Sequence, residues 1–588
     1  MLDVASPPRP PGLAIRAHFL PAQHAFGESD PCPRPEVGST VLEPADVSSH
    51  NGALEISLTA RRSRTTSGTY RYCFVDERGN ESPTLRVKRG DLVIIHLRNR
   101  MTGDSSSTNA AHAMHGNMHV APGTCGGGAM TELTTNLHFH GLTIPPTCHQ
   151  DEVLRTLIQP GDPVFDYKFR IPDDEPPGLY WYHPHVHGFS RIELLGGASG
   201  ALVVEGTERA DRAVAGLPER VFVIRDQDLL HPDTLPARSE PVIPKFLVDN
   251  DGDAVNTGTG FGKPAKDLSI NFVPVPYPNY EPATIGMKAG ERQLWRVLNA
   301  SAITYLNLSV LRNRVAQPLG LVAIDGVPLN LNGGPADFVD PQTHIGLPPG
   351  SRAEFIVEAP EAGGTEAFVT HTVDTGPGGE NDPNRPLAVI RGEDDAPEPR
   401  VKLDSTSQPL PPPHEPWLGS VAPVRVRKFY FSEKLDDPNN PASASEFYIT
   451  EEGQTPRAFD PNAQQPNVVA TQGTVEDWII ENRSAELHAF HIHQLHFVLL
   501  DYDGKPVNEP FLRDTVNVPY YNGHTLAYPS IRIRMDFRDP NIIGTFVFHC
   551  HLLEHEDRGM MATIQVVPPD STRTAHATVP SKAASGAR

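Results

Sequence analysis

Three stretches of the chain share one pattern: residues 88–99 read KRGDLVIIHLRN, residues 288–299 read KAGERQLWRVLN, and residues 471–482 read TQGTVEDWIIEN. In each stretch a glycine precedes an asparagine by nine positions, and apolar residues alternate between them. Such alternation after a glycine turn is typical of a half-buried β-strand. Three copies in one chain indicate an internal repeat.

A second pattern follows each copy of the first. Residues 178–183 read GLYWYH, residues 367–371 read AFVTH, and residues 544–549 read GTFVFH. Two ordered blocks that recur three times predict three related all-β domains, because short strands between Pro and Gly turns suit Greek-key β-sandwiches or barrels. We expect these domains at residues 1–210, 211–400 and 401–570, followed by a disordered tail at 571–588.

The composition limits the class of protein. The 588 residues include 72 acidic and 50 basic side chains, for a formal net charge of −22. This balance argues against a nucleic-acid or membrane partner. With 60 prolines and 48 glycines, the chain is unsuited to long helices. No apolar run approaches the ~18 residues of a membrane span, and residues 1–20 show no signal peptide.

Four of the five cysteines lie in the first quarter of the chain: Cys32, Cys73, Cys125 and Cys148. They could form two disulfides in an oxidising compartment or remain thiols, and their spacing leaves any pairing open.

Histidine pairs of the form His-x-His occur at equivalent places in the repeat. The 26 histidines would give about one such pair by chance, yet five are present, beginning at positions 138, 183, 185, 491 and 549. Residues i and i+2 of a strand face the same side, so four of these pairs present two imidazoles each in one direction. Imidazole at this density suits copper, zinc or iron, whereas any single pair could equally be an exposed or satisfied histidine.

Cys550 stands between His549 and His551, so its sulfur points to the opposite face of their strand. His488 lies upstream of it, and His555 and Met560 lie downstream. One thiolate, two imidazoles and a weak axial thioether form the ligand set of a blue-copper site. One strand would therefore touch two metal centres.

Four motifs resemble those of multicopper oxidases: LHFHG at 137–141, WYHPH at 181–185, HAFHIH at 488–493, and HCHLLEHEDRGM at 549–560. Within that family the chain is most similar to bacterial laccases of the spore-coat and bilirubin-oxidase type, because Glu556 and Asp557 follow the last histidine of the motif. The resemblance implies three cupredoxin-like domains and four copper ions.

The same resemblance implies a ligand set for each copper. The type 1 copper would be held by His488, Cys550, His555 and Met560. His138 and His491 would hold the type 2 copper. The type 3 pair would be held by His140, His183, His185, His493, His549 and His551.

Aligning the repeats by their shared asparagine shows which domains carry ligands. In domain 2 the positions of His488, His491 and His493 hold Tyr305, Leu308 and Val310; in domain 1 Thr135 and Pro184 replace His488 and Cys550. We therefore expect the three-copper cluster between domains 1 and 3, with domain 2 as a spacer and a type 1 site in domain 3 alone.

The expected function is the one-electron oxidation of a small-molecule or metal-ion reductant at the type 1 copper, coupled to reduction of dioxygen to water. Glu556 and Asp151 are candidate proton donors for this reaction, although either could be a surface carboxylate. Phenols and aromatic amines are the first candidates for the reductant.

Two alternatives and two further expectations remain. The Met- and His-rich insertion at 101–131 allows a cuprous-ion oxidase that confers copper tolerance, because soft thioethers select Cu(I). A copper-binding structural protein is the other alternative. We also expect a monomer, and family habit suggests an extracytoplasmic location.

Overall fold

A computed structural model describes residues 30–65, 68–103, 125–233, 248–406, 408, 410 and 416–569. The three copies of the Gly…Asn pattern form equivalent strands within it, Leu92–Asn99, Arg292–Asn299 and Thr474–Asn482. Each pairs in parallel with an earlier strand and antiparallel with a later one. The repeat in the sequence is therefore a repeat in topology.

The asparagine that ends each repeat strand has the same role in all three copies. The side-chain amides of Asn99, Asn299 and Asn482 each donate two hydrogen bonds to backbone carbonyls of separate loop segments, at 2.7–3.2 Å. All three side chains are buried. The shared asparagine is thus a structural tie between the strand and the loops that follow it.

Domain 1 packs two sheets face to face around a core that includes Phe139, Tyr167 and Tyr182. The strands of its first sheet, in spatial order, are Asp46–Ser48, Thr84–Val87, Gly200–Val204, Gly178–His183 and His138–His140. The second sheet has the order Tyr70–Asp76, Ala53–Arg64, Leu92–Asn99 and Phe165–Arg170.

Domain 2 has the largest pair of sheets and a core around Trp295 and Phe355. One sheet has the order Val273–Val275, Asp267–Ile270, Pro218–Gln227, Arg292–Asn299, Arg352–Glu358, Leu319–Ile324 and Val327–Pro328, with Asp340–Gln342 and Val401–Lys402 paired beside it. The other has the order Ala283–Lys288, Arg385–Glu393, Thr365–Thr370, Leu306–Arg312 and Val315–Ala316, with Ile345–Leu347 on Leu306–Arg312.

Domain 3 repeats the two-sheet arrangement around Trp478 and Phe548. Its first sheet has the order Ala444–Glu451, Arg425–Leu435, Thr474–Asn482, Ser530–Phe537, Phe497–Tyr502 and Lys505–Pro506. Its second has the order Val468–Thr471, Met561–Val567, Gly544–Cys550, His488–Ile492 and Thr515–Val518. The structure confirms the all-β prediction.

The helices of the described residues are short. They are the α-helices Ser190–Leu195, Thr207–Ala210 and Leu553–Asp557 and the 3₁₀ turns Arg212–Val214, Leu418–Ser420 and Pro540–Ile542. Within the described part of the chain, no helix has the length and apolar character needed to cross a bilayer.

The four N-terminal cysteines form two disulfides, Cys32–Cys73 and Cys125–Cys148. This resolves the pairing that the sequence left open. Cys125 lies at the end of the insertion at 101–131, whose residues 104–124 are outside the described part of the chain, as is the tail at 571–588. The boundaries at 210, 400 and 570 remain a prediction.

Candidate metal centres

A buried thiol and two imidazoles meet in domain 3. Cys550 Sγ lies 3.6 Å from His488 Nδ1 and 3.7 Å from His555 Nδ1, and the two nitrogens are 3.1 Å apart. Met560 is fully buried beside them: its carbonyl oxygen accepts a hydrogen bond from the amide of Cys550, and its amide donates to the carbonyl of His555. The thiol and the two imidazoles predicted for one site therefore lie together, and the backbone of Met560 is hydrogen-bonded to two of these residues.

The outer nitrogens of the two imidazoles face polar side chains. His488 Nε2 is 2.8 Å from the hydroxyl of Ser484 and 3.3 Å from a carboxyl oxygen of Glu433. His555 Nε2 is 3.3 Å from a carboxyl oxygen of Glu486. These contacts occupy Nε2 and leave Nδ1 of each ring directed at the thiol, which is how outer partners orient metal-binding histidines.

Burial sets the charge states of this first site. It raises the pKa of the Cys550 thiol to about 12 and, together with the neighbouring His488, lowers the pKa of His555 well below its usual value. Near neutral pH the group therefore contains a thiol at Cys550 and a neutral imidazole at His555, and a bound cation would favour the thiolate.

A second cluster collects imidazoles from domains 1 and 3. Its clearest convergence is at His549, whose Nε2 lies 3.4 Å from His185 Nε2 and 3.3 Å from His493 Nε2. Rings from the two domains also stack, His138 on His493 and His140 on His491, with centroids 3.7 and 3.9 Å apart. The eight buried members are His138, His140, His183, His185, His491, His493, His549 and His551.

Many nitrogens in this cluster lack a hydrogen-bond partner. Buried polar atoms in proteins are nearly always paired, so such a concentration indicates a ligand. Groups of three of these side chains offer nitrogens within 4.8 Å of one another. The unpaired atoms are His138 Nε2, His140 Nδ1, His183 Nε2, His491 Nε2, His493 Nδ1 and both nitrogens of His551. The donor set fits copper, which imidazole binds well.

Desolvation and mutual repulsion keep these imidazoles neutral. Burial is the main cause, and it lowers the pKa of His183 to about 3 and of His549 to about 4. The pKa of the other six is lowered well below the ordinary value, and in each case neighbouring imidazoles contribute. Neutral imidazole is the form that binds metal.

One strand connects the two centres. The thiol of Cys550 faces His488 and His555, while the flanking His549 and His551 belong to the eight-imidazole cluster. Side chains alternate along Gly544–Cys550, so the neighbouring residues His549 and Cys550 face different centres. The two centres are therefore connected through a single peptide bond of the backbone.

Both predicted carboxylates lie beside the cluster and are buried. Both oxygens of Asp151 are 3.0 Å from His138 Nδ1, and one also accepts a hydrogen bond from the amide of Phe139. An oxygen of Glu556 is 3.8 Å from His185 Nδ1 and 3.5 Å from the hydroxyl of Ser190. Burial raises the pKa of both carboxyl groups well above the ordinary value. The interpretation of either as a surface group is wrong.

Several buried charged residues around the centres were not predicted. Asp514 contacts His140 and His491 and pairs with Arg352 of domain 2. Arg352 and Glu354 alternate with Ala353 and Phe355 as a strand with a solvent face would, yet all four are buried. Arg352 could have been recognised as a functional residue if both faces of its strand were known to be buried, since a charged side chain is unusual there. A single sequence does not show which faces of a strand are buried.

The fold and two segments of the sequence match known proteins. Residues 129–209 and 436–570 match family descriptions of the multicopper oxidases. A multicopper oxidase of Staphylococcus aureus is 24% identical over 90% of this chain and 91% of its own, and a laccase of Bacillus subtilis is 22% identical over 83% and 88%. The solved structure of a multicopper oxidase from Campylobacter jejuni, described as a metallo-oxidase, superposes with a TM-score of 0.61 at 22% identity, over 91% of this chain and 97% of the other.

These matches, with the three-domain fold, define an oxidoreductase that uses copper. The chain is a three-domain, laccase-like enzyme with cupredoxin-like domains, and its residues 129–209 and 436–570 are those that match the multicopper oxidases.

Proposed function

We propose that this enzyme oxidises a reductant by single electrons at the Cys550 site and reduces dioxygen to water at the eight-imidazole cluster, with one copper at the first site and three at the second. The type 1, type 2 and type 3 ligand sets are those assigned from the sequence. The observation that carries the proposal is the position of Cys550, whose side chain faces one centre while both flanking residues belong to the other.

Copper held by these side chains supplies the redox chemistry, accepting electrons singly and delivering four to dioxygen. The protein supplies geometry, protons and access. Asp151 holds the Nδ1 side of His138, and Glu556 lies between His185 and Ser190. We assign both carboxyl groups as proton donors to the cluster, since oxygen reduction consumes protons in a region from which bulk water is excluded.

The cavity beside His488 suits an organic reductant of one ring. It has a volume of about 360 Å³. Ser484 and Glu433, which contact His488 Nε2, are among its lining residues, together with Pro377, Leu435 and Tyr521. Apolar and aromatic groups in a wall that also contains Arg483, with the Glu433 carboxyl group at the imidazole edge, support phenols and aromatic amines as substrates, because the carboxylate can accept the proton that such a donor releases.

The exchange of Cys550→Ser tests the proposal. A hydroxyl is a poor substitute for a thiolate as a copper ligand, so we expect the blue absorption to vanish and oxygen uptake with a phenolic dye to fall to background. The free energy of unfolding should drop by only about 1–3 kcal/mol, the cost of one poorly paired buried polar group. A colourless variant that still consumed oxygen would contradict the assigned route.

A second candidate substrate is a reduced metal ion. Glu486 and Glu380 are buried, and the side chain of Glu433 is only 4% exposed. Each of the three has one carboxyl oxygen without a hydrogen-bond partner. Glu433 and Glu486 lie against the outer nitrogens of the two imidazoles that face Cys550. Carboxylate oxygens suit ferrous or manganous ions better than Cu(I), whereas the Met-rich segment that would favour Cu(I) falls mostly at residues 104–124, outside the described chain.

Replacing the two carboxylates separates these substrates. The double variant Glu433→Gln/Glu486→Gln keeps an acceptor oxygen near each imidazole but removes both carboxyl groups that a metal cation would bind. If metal ions are the substrate, oxygen uptake with Fe(II) should fall about 10–100-fold with the blue absorption kept, and by more than the rate with a phenolic dye, which loses only the proton acceptor at Glu433. Glu481→Gln, at a half-buried carboxylate of the same domain that pairs with Lys428 and Arg483, serves as the control. Equal loss with both reductants would count against metal-ion oxidation.

We further propose that the enzyme works outside the cytoplasm. Its two disulfides support this location, because such bonds persist in oxidising compartments.

A further inference from the structure

Domain 2 reaches the eight-imidazole cluster through one buried arginine. Arg352 begins the strand Arg352–Glu358, and its guanidinium is fully buried. Nη1 lies 2.9 and 2.8 Å from the two carboxyl oxygens of Asp514 in domain 3, and Nε donates a hydrogen bond to the carbonyl of Leu179 in domain 1 at 3.0 Å. All three domains therefore meet at this side chain.

Asp325 holds the same junction from the other side. One of its carboxyl oxygens accepts a hydrogen bond from the backbone amide of Arg352 at 3.0 Å. The other lies 3.3 Å from the backbone amides of Asp514 and Thr515. Domain 2 thus fixes both the backbone and the side chain of Asp514.

Asp514 in turn engages one nitrogen on each of two cluster imidazoles. Its side-chain oxygen lies 3.3 Å from His140 Nε2, and its carbonyl oxygen lies 2.9 Å from His491 Nδ1. The opposite nitrogens, His140 Nδ1 and His491 Nε2, are the ones that lack a partner. Because a neutral imidazole carries a single N–H, an acceptor at one nitrogen leaves the lone pair on the other.

The packing leaves little freedom for another arrangement. A Cβ atom at Gly141, next to His140, would collide with the Arg352 guanidinium and come within 2.7 Å of Asp514 Oδ2. Two residues before Arg352, a Cβ atom at Gly350 would lie 2.7 Å from His551 Nε2. Domain 2 is therefore in direct contact with the cluster, so the expectation of a mere spacer is incomplete.

We propose that Arg352 is a positioning residue: through Asp514 it fixes the ring orientation and tautomer of His140 and His491, so that His140 presents Nδ1 and His491 presents Nε2 to copper. The domain without copper ligands thereby controls occupancy of the copper that His491 shares with His138. This proposal rests on the copper assignment of the proposed function.

The buried Arg296 provides a matched comparison. It is also a fully buried arginine of domain 2, and it pairs with Glu219 and Glu354. Those partners are carboxylates of domain 2 and do not orient an imidazole of the cluster through Asp514. Arg296→Met therefore measures the loss of a buried ion pair without loss of the proposed positioning.

The test compares Arg352→Met, Arg352→Lys and Arg296→Met with the wild-type enzyme after loading with copper. Metal content, the blue absorption and the electron paramagnetic resonance signal of type 2 copper are measured as copper is withdrawn by a graded chelator. For both Arg352 variants we expect the type 2 signal to be lost at about 10–100-fold lower chelator strength, with the blue absorption kept. Arg352→Lys retains the charge and covers the case in which Arg352→Met fails to fold.

A second readout does not depend on bound metal. In metal-free protein labelled with ¹⁵N-histidine, the signals of His140 and His491 should each show one predominant tautomer in the wild type and a mixture in Arg352→Lys. Arg296→Met should resemble the wild type in both experiments, with reduced thermal stability only.

The outcomes separate the two proposals. If the wild type binds no copper at the imidazole cluster, the proposed function fails. If the wild type binds copper and the Arg352 variants keep the type 2 signal and the tautomers, the positioning role is refuted. Parallel loss of the blue and type 2 signals in Arg352→Lys would equally refute it, since that pattern indicates general destabilisation.

Discussion

At the scale of single residues, the partners of a histidine distinguish a metal-binding side chain from an ordinary one. His96 lies on a repeat strand, and both its nitrogens contact carboxylates, of Asp166 at 2.7 Å and Glu55 at 3.0 Å. These hydrogen bonds raise its pKa. His138 is buried, and burial lowers its pKa. Its Nδ1 contacts Asp151, whereas its Nε2 has no hydrogen-bond partner. The first arrangement favours a proton, and the second favours a metal.

The contacts of Asp151 lead to a prediction at this scale. In Asp151→Asn an NH2 group replaces one carboxyl oxygen and faces a group that already donates, either the amide of Phe139 or the side chain of Gln494. His138 then keeps one neutral acceptor oxygen in place of the carboxylate that sets its orientation. We expect oxygen uptake to slow about 10–100-fold, whereas anaerobic bleaching of the blue absorption by a phenol keeps its rate. Stopped-flow absorbance measures both steps.

Glu152→Gln is the control for this variant. Glu152 neighbours Asp151, but its carboxylate accepts hydrogen bonds from backbone amides of its own turn, at Leu154 and Arg155. Its replacement should leave both rates unchanged. Oxygen uptake at the wild-type rate in Asp151→Asn would show that the carboxyl group is dispensable for oxygen reduction.

At the scale of elements, the strand-ending asparagines hold the loops that carry functional groups. Asn482 donates to the carbonyls of Glu486 and Val518, and its own side-chain oxygen accepts from the amide and hydroxyl of Ser484. The loop it ties presents Ser484 and Glu486 to the imidazoles of His488 and His555. The asparagine therefore stabilises the loop in all three repeats, and in domain 3 it also positions the side chains that contact His488 and His555.

Comparison of equivalent variants separates these effects. Asn482→Ala and Asn299→Ala each leave two buried carbonyls without their donor, so each should lower the free energy of unfolding by about 2–5 kcal/mol. Only Asn482→Ala should also shift the blue absorption, because the equivalent loop of domain 2 carries no copper ligand. Chemical denaturation and visible spectra provide the measurements. A shift of the same size in Asn299→Ala would argue against a local role of the Asn482 loop.

At the scale of the whole molecule, the second centre exists only where domains meet. His138 lies opposite His183 within domain 1, and His491 lies opposite His549 within domain 3. Domains 1 and 3 thus each contribute a pair of adjacent strands that carry histidines. Stacking between the two pairs brings imidazoles that are more than three hundred residues apart in sequence into contact. The equivalent residues of domain 2 are Leu308 and Thr370, so that domain contributes to the cluster through Arg352.

The sequence alone determined the repeat, the strands and the candidate ligands. Alternation of apolar residues and the spacing of His-x-His pairs are local properties, and a local pattern decides which side chains share one face of a strand. The interpretation of Cys550 as the residue between two centres follows from this periodicity, and the structure places its neighbours on the expected sides.

The tertiary structure alone decided which cysteines pair, that Asp151 and Glu556 are buried, and that Arg352, Asp514, Glu433 and Glu486 surround the centres. It also decided which nitrogens of six of the eight cluster imidazoles have no hydrogen-bond partner. These properties arise where separate sheets and domains pack together. A charged residue on a strand has the same local pattern whether its face meets water or another domain, and only packing of distant segments distinguishes the two.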